Sequence, residues 1–177
     1  MAGHSHWKQI KEQKGAEDVR RGKIFSKLLA AVTLAARANP HSRFNPRLKA
    51  AVERAQEHHV PLENIERAIK RSAAAEQVLE EVVIEAYGPE GVAIIIEAIT
   101  NNKNRTVREI KHLLAEGGAK AAGEGGALWA FEKNSLGWHP KFPQQLSPAS
   151  REELGELIAR IENHPDIQRV ATNATAN

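Results

Sequence analysis

The first residues of this 177-residue chain combine positive charge with an aromatic ring. Lys8, Lys11 and Lys14 recur at every third position, and Trp7 stands directly before the first of them. Lysines neutralise the phosphates of a polyanion and release its counterions, and a tryptophan ring can stack on an exposed base. Residues 1–15 hold hardly any apolar side chain, so we expect this tract to stay mobile until a nucleic acid orders it.

More basic residues follow, and acidic residues that could pair with them are scarce. A solvated cationic face that serves solubility is the alternative, but the lack of acidic partners favours contact with a polyanion. The predicted phosphate-contacting residues, which Trp7 would assist by stacking, are Lys8, Lys11, Lys14, Arg20, Arg21, Lys23, Lys27, Arg47 and Lys49.

A second, smaller basic cluster is "TNNKNRT", which contains Lys103 and Arg105 between a predicted strand and a predicted helix. The backbone N–H groups and the dipole at a helix N-terminus favour an anion such as phosphate. A polar capping loop explains the same residues equally well. Both interpretations stay open, and Lys103 and Arg105 are added to the predicted nucleic-acid-binding set.

The charge is segregated along the chain. Residues 1–75 contain 15 Lys or Arg against 7 Asp or Glu, a net charge of +8, whereas residues 76–177 contain 10 against 15, a net charge of −5. This asymmetry predicts a module that faces a polyanion, joined to a module with another role. Nucleic acid is the leading partner. An anionic membrane surface is the weaker candidate, because the apolar stripe of the first predicted helix is needed inside a bundle.

Membrane insertion, export and catalysis find little support in the sequence. The longest apolar run, "GVAIIIEAI", is the size of a strand, and the chain has no cysteine, so we expect a cytoplasmic protein without a membrane partner. No G-x-S-x-G, Walker A or H-E-x-x-H pattern occurs. We therefore predict no catalytic residues, no metal site, no cofactor and no small-molecule substrate. If Met1 is removed, the new N-terminal amine, two backbone amides and the His4 imidazole could bind copper. These ligands need no folded structure, so we do not predict a metal site there.

The apolar periodicity of residues 1–76 predicts a basic helical domain with a mobile N-terminal tail. The first helix is expected from about Glu17 to Ala38. Asn45 is the predicted N-cap of the second helix, with Pro46 at its first position. The segment "VPLENIERAIKRSA" predicts the third helix, and the three together form a small bundle.

Residues 77–177 predict an α+β domain. Two strands flank the turn at Gly88-Pro89-Glu90-Gly91, and a helix follows, with Thr106 as part of a capping box. "ALWAFEK" is the predicted third strand, residues 134–150 an irregular connector, and a last helix and strand end the domain. The order β-β-α-β-α-β predicts a four-stranded sheet with helices on one face.

Several long motifs resemble those of the YebC/PmpR family of transcriptional and translational regulators, which includes the mitochondrial translational activator of cytochrome oxidase. They are "MAGHSHWKQIK", "KGAEDVRRGKIFSKL", "NPRLKAAVERA", "NIERAIKR", "EAYGPEGVAIIIEAITNNKNRTVREIKH" and "DIQRVATN". The resemblance covers residues 1 to about 133 and resumes from about 150 to 173. It implies a three-domain fold with a basic N-terminal helical domain, and a cytoplasmic protein without a cofactor.

Members of this family are described as DNA-binding regulators of transcription, and others as ribosome-associated factors. The resemblance therefore implies a non-enzymatic, DNA-binding transcriptional regulator; the alternative is a translation factor that contacts ribosomal RNA. The lone Trp of the basic tract, Trp7, and a free N-terminus fit a crowded RNA pocket slightly better. One departure stands out, because about seventeen residues, "NSLGWHPKFPQQLSPAS", replace the further α+β domain of the family. The chain is thus expected to be a two-domain member.

Overall fold

A computed structural model describes the backbone of residues 3–73, 78–134 and 137–175, and the side chains within these ranges from residue 17 onward. The chain divides into two units, Met1–Glu76 and Gln77–Asn177. The architecture is α+β, as the sequence predicts, with helices in the first unit and a sheet with helices in the second.

The described residues of unit 1, 3–73, form three helices, which confirms the predicted helical elements. They are α1 (Gly3–Ala36), α2 (Pro46–Glu57) and α3 (Leu62–Ala73), with a single 3-10 turn at Ser42–Phe44 between the first two. The apolar positions that recur with helical spacing meet in one core. This core consists of Leu28, Val32, Ala35, Ala36, Leu48, Ala55, Val60, Ile65 and Ala68.

Helix α1 begins much earlier than the apolar pattern predicted. Its backbone is helical from Gly3, whereas the sequence placed the start near Glu17. The preceding tract has no apolar stripe, but it also has no proline after its start, and its Lys, Gln and Glu residues are good helix formers. Periodicity therefore underestimated the helix. The side chains of residues 3–16 lie outside the described part, and the mobility of the tract stays a prediction.

Asn45 fixes the connection between α1 and α2. Its side-chain oxygen accepts a hydrogen bond from the Leu48 N–H (3.0 Å), which confirms Asn45 as the N-cap of α2. Its amide nitrogen donates to the carbonyl oxygens of Ala35 (2.8 Å) and Asn39 (2.7 Å). Asn45 is buried, so these bonds satisfy two carbonyls at the end of α1 that would otherwise lack a partner.

Unit 2 contains an antiparallel sheet of four strands in the spatial order β3-β1-β2-β6, and a second sheet of two strands, β4 and β5. The strands are β1 (Glu80–Tyr87), β2 (Ala93–Thr100), β3 (Lys120–Ala121), β4 (Phe131–Asn134), β5 (Gly137–Pro140) and β6 (Ile167–Thr172). The helices are α4 (Lys103–Glu116) and α5 (Pro148–Glu162). The predicted β-β-α-β-α-β order is present in the four-stranded sheet.

Three details of unit 2 differ from the prediction. The third strand of the main sheet is the short β3, and the segment "ALWAFEK" instead forms a 3-10 turn and β4. The predicted irregular connector, residues 134–150, contains β5 and the first residues of α5. The capping box is wrong as well, because Asn102 caps α4 through a bond from the Arg105 N–H (3.0 Å).

The two faces of the main sheet are covered differently. On one face, Ile84 and Ile96 pair across β1 and β2 and pack with Ile110 of α4 and Leu157 of α5, so both helices lie on one face as predicted. On the other face, Ile95 packs with the 3-10 turn and the small sheet.

Glu85 is buried on this second face. One carboxylate oxygen accepts the Gly125 N–H (2.7 Å), and the other accepts the N–H groups of Ala127 (2.6 Å) and Leu128 (2.9 Å). Three donors compensate the cost of burying a carboxylate. Glu85 therefore fixes the loop that follows β3 to the sheet, together with the Tyr87 hydroxyl, which donates to the Gly126 carbonyl.

Asp166 joins the end of β2, the start of α4 and the segment before β6. Its carboxylate accepts bonds from the Thr106 hydroxyl (2.6 Å) and the Arg105 guanidinium (2.8 Å), and the Thr100 hydroxyl lies 2.8 Å from that of Thr106. Burial alone would raise the pKa of this carboxyl, but the hydrogen bonds and the arginine charge outweigh it and hold the pKa below its usual value. The bond to Asp166 likewise raises the pKa of Arg105.

Asn45→Asp tests the role of the Asn45 amide. Asp is as good an N-cap as Asn, but it cannot donate to the Ala35 and Asn39 carbonyls and would place a charge against them. We expect a loss of about 2 kcal/mol or more, similar to that of Asn45→Ala. Hydrogen exchange of the α1–α2 loop amides in the full chain measures it, with Gln56→Asp on the exposed face of α2 as the control. Wild-type stability of Asn45→Asp would show that only the cap matters.

Asp166→Asn should make the free energy of unfolding depend less on pH in the acid range. Because the folded pKa is lowered, the stabilisation by Asp166 is present above its unfolded pKa of about 4 and is lost as the pH falls through the folded pKa. At pH 7 we expect the variant to lose about 1 to 3 kcal/mol. Denaturant unfolding at pH 7, 5, 3 and 2 measures both effects, and the exposed Glu156→Gln is the control. An unchanged pH dependence in Asp166→Asn would contradict this assignment.

Candidate nucleic-acid interface

The described part of α1 changes from fully exposed to buried along its length. Residues 17–24 are exposed on every side, including Val19, which is 63% exposed, whereas Leu28 and Val32 are buried in the core of unit 1. In the described part of α1, the exposed residues 17–24 precede the packed segment, which starts at Phe25. Arg20, Arg21 and Lys23 lie on the exposed stretch, and Lys27 follows it.

Arg20, Lys23 and Lys27 lie on one side of α1. Their spacing of three and four residues places them one above another on one helical face. Arg20 and Lys23 are exposed, and Lys27 is half-buried at the edge of the core. The structure therefore brings three of the predicted cations into a single row, which we call the α1 row.

Arg21 lies outside the α1 row and forms an ion pair with Asp18 (2.8 Å) one turn earlier. Both side chains are more than half exposed, and such pairs contribute well under 1 kcal/mol. A phosphate can therefore replace Asp18 as the partner of Arg21 at little cost.

A second basic group lies where α1 ends and α2 begins. It contains the predicted Arg47 and Lys49, both exposed, and Lys49 is loosely paired with Glu53 (3.9 Å). Residues 37–52 hold four Lys or Arg and no Asp or Glu. From Lys27, the last residue of the α1 row, to the end of α1 is about 14 Å along the helix axis, so unit 1 carries two basic groups.

Arg43 and Phe44 belong to the same loop. In the sequence Arg43 clusters with Arg47 and Lys49, although it was not in the predicted binding set, and Phe44 was not predicted to take part. Phe44 is 71% exposed, and the Arg43 guanidinium lies over its ring, 5.8 Å from the ring centre. The adjacent Asn45-Pro46 helix start was recognised from the sequence. The exposure of Phe44 was not, because no local pattern tells an exposed aromatic ring from a buried one.

Lys103 and Arg105 occupy the first turn of α4 in unit 2. Lys103 is exposed, whereas the Arg105 guanidinium binds Asp166 (2.8 Å) and lies 3.8 Å from Glu109. The carboxylate of Asp166 thus already occupies the place that a phosphate would take. The sequence left two interpretations of this loop open, an anion-binding site and a polar capping loop. The contacts of Asn102 and Arg105 are those of a polar capping loop.

The remaining predicted residues are Trp7, Lys8, Lys11 and Lys14. Their backbone belongs to α1, and their side chains lie outside the described residues. Since α1 is continuous, they belong to the same helix as the α1 row. Their role in binding stays a prediction.

Unit 2 also displays aromatic side chains that sequence reasoning did not single out. The rings of Trp129 and Phe142 lie 5.6 Å apart and are each about half exposed. The indole N–H of Trp129 donates to the Tyr87 hydroxyl (2.9 Å). The indole N–H of Trp138 and the ammonium of Lys133 both donate to Glu97 (2.9 Å each).

The described ranges contain neither a metal centre nor a membrane-spanning helix. Within residues 17–73, 78–134 and 137–175, no three His, Asp or Glu side chains come together as a metal site would require. None of the helices in the described part of the chain combines the length and the apolar character of a membrane span.

Comparison with known proteins gives consistent matches in both units. A family model for the TACO1/YebC protein N-terminal domain matches residues 5–75, and one for the TACO1/YebC second and third domain matches residues 79–136. The crystal structure of a conserved hypothetical protein, Aq1575 from Aquifex aeolicus, superposes with a TM-score of 0.82 at 26% identity, over 89% of this chain and 91% of the other.

Curated relatives are similar over most of this chain. A protein of Persephonella marina is 44% identical over 144 residues, which is 80% of this chain and 58% of the relative. A protein of Aquifex aeolicus is 46% identical over 137 residues, which is 75% of this chain and 55% of the relative. Both are named "Probable transcriptional regulatory protein". The chain spans just over half the length of these relatives.

The family models follow one another along the chain and together match well over half of it. The relatives are aligned over three quarters of the chain or more. This protein therefore belongs to the TACO1/YebC family.

Proposed function

We propose that this chain is a nucleic-acid-binding regulatory protein, and that unit 1 binds the phosphate backbone through the α1 row and the basic group at the start of α2. The observation that carries the proposal is the exposed stretch of α1 at residues 17–24. Within the described residues, α1 first contacts the core of unit 1 at Phe25, so these cations precede the packed segment. Cations held in this way can replace the counterions of a nucleic acid without rearrangement of the fold.

Transcription is the first candidate process, because the curated relatives are named as probable transcriptional regulatory proteins. In this version unit 1 binds duplex DNA in the cytoplasm, and unit 2 supplies rigidity or a protein contact. Phosphate contacts position a protein on a duplex but do not read its sequence. In this role the protein acts by binding alone and catalyses no reaction.

Translation is the second candidate process, with ribosomal RNA as the partner. The observation that favours it is the exposed Phe44 beside Arg43. Paired bases of duplex DNA offer only their edges to a protein, whereas loops of RNA offer whole base faces. An exposed aromatic ring in a basic loop therefore has a use on RNA that it lacks on a regular duplex.

The triple variant Arg20→Ala/Lys23→Ala/Lys27→Ala tests the α1 row. Each phosphate contact contributes about 0.7 to 0.9 to the slope of log Kobs against log salt, so the slope should become smaller by about 2 to 3. Fluorescence anisotropy with labelled duplex DNA and RNA at several salt concentrations measures it. Circular dichroism checks that α1 stays helical.

A matched control removes the same charge elsewhere. Arg108→Ala/Lys111→Ala/Lys120→Ala changes three exposed cations of unit 2. This control should leave the slope within experimental error of the wild type. Equal losses in the two triple variants would mean that binding follows net charge, and the assignment of the α1 row would be wrong.

The two candidate processes are separated by offering both partners to the full chain. A transcriptional regulator should bind a promoter fragment about 1,000-fold or more tightly than random duplex at physiological salt. A translation factor should sediment with large ribosomal subunits in a sucrose gradient and show no preference among duplexes. The α1-row variant should weaken whichever interaction occurs. Salt-sensitive binding in neither assay would contradict the whole proposal.

A further inference from the structure

We propose that Phe44 is a stacking platform for one unpaired base, and that the loop around it takes single-stranded nucleic acid, with the adjoining phosphate on Arg43 and Arg47. This inference rests on the proposed function and names the class of nucleic acid that unit 1 recognises. A singly exposed Phe is common on protein surfaces. What distinguishes Phe44 is the arginine at its ring, the rigidity of its loop and the charge around it.

The ring of Phe44 has one face engaged and leaves the other for a ligand. The Arg43 guanidinium lies 5.8 Å from the ring centre, and yet 71% of the residue is exposed. A base that stacks on the opposite face would complete a layered arrangement of guanidinium, phenyl ring and base. Aromatic stacking of this kind is tolerant of sequence, since every base has a π-face.

The loop that carries Phe44 is held in place before any ligand arrives. The 3-10 turn is closed by bonds from the Phe44 N–H to the His41 carbonyl (3.0 Å) and from the Asn45 N–H to the Ser42 carbonyl (3.2 Å). Asn45, the residue after Phe44, is buried and bound to both neighbouring helices. A platform that is already ordered loses little entropy on binding.

The charge of the surroundings selects a nucleic acid as the occupant. Residues 37–52 contain Arg37, Arg43, Arg47 and Lys49 and no acidic residue, so an anionic partner is complementary to this loop. The partner must also offer an exposed aromatic face. A single strand meets both requirements, whereas the bases of a regular duplex are stacked on one another and closed to the ring.

Phe44→Leu in the full chain tests the platform, because leucine keeps an apolar side chain at an exposed position but cannot stack. Labelled twelve-nucleotide probes of one sequence are used as single-stranded RNA, single-stranded DNA and duplex DNA. We expect Phe44→Leu to bind single strands about tenfold more weakly and the duplex within twofold of the wild type. Phe44→Trp should bind single strands at least as tightly as the wild type.

The salt dependence separates stacking from charge. Phe44→Leu removes no charge, so its slope of log Kobs against log salt should equal that of the wild type, unlike the slope of the α1-row variant. A loss on RNA and DNA strands alike supports recognition of the base by the ring, and tighter binding of the wild type to RNA than to DNA supports an added contact to the 2′-hydroxyl. Wild-type affinity of Phe44→Leu for single strands would overturn the inference and leave the proposed function standing. Absence of binding to any probe by the wild type would overturn both.

Discussion

Burial of the second half of α1 is the constraint on which unit 1 depends. Leu28, Val32 and Ala35 pack in the common core with residues of α2 and α3. The same packing brings the Ala35 carbonyl to Asn45, which fixes the loop between α1 and α2. One apolar core thus holds both basic groups, because the exposed residues 17–24 of α1 directly precede it and the α1–α2 loop borders it. Without that core, the cations would be a run of charge without fixed positions.

The opposite charges of the two units have different structural roles. In unit 2 several carboxylates are committed to internal contacts, as when Glu85 binds three backbone N–H groups and Asp166 binds Thr106 and Arg105. In unit 1 the ion pair of Arg21 with Asp18 joins two exposed residues a turn apart and is weak. The negative charge of unit 2 therefore partly serves its own fold, whereas a ligand can compete for Arg21 at little cost.

Periodicity in the sequence was sufficient for elements that bury one long face. It predicted the helices of unit 1, the hairpin of β1 and β2, and both helices on one face of the sheet. It was wrong for the third strand, because β3 has only two residues and no apolar pattern, while "ALWAFEK" has the pattern and pairs with β5 instead. In the site, Asn45 was predicted as a cap, but its bonds to Ala35 and Asn39 depend on tertiary structure. The exposure of Phe44 also depends on tertiary structure. Aromatic residues are more often buried, so the sequence alone would not predict an exposed ring there.

The arrangement of the two basic groups bears on the form of nucleic acid that fits unit 1. The α1 row ends about 14 Å before the end of α1, measured along the helix axis, and the loop that follows α1 carries an aromatic ring. A duplex has phosphates at fixed positions and one turn in about 34 Å, so it must match both groups at once without using the ring. A single strand bends to reach both and can turn one base onto Phe44. The core of unit 1 fixes the positions of the cations and of the Phe44 ring. A ligand must therefore adapt its own shape to them, which a flexible single strand can do.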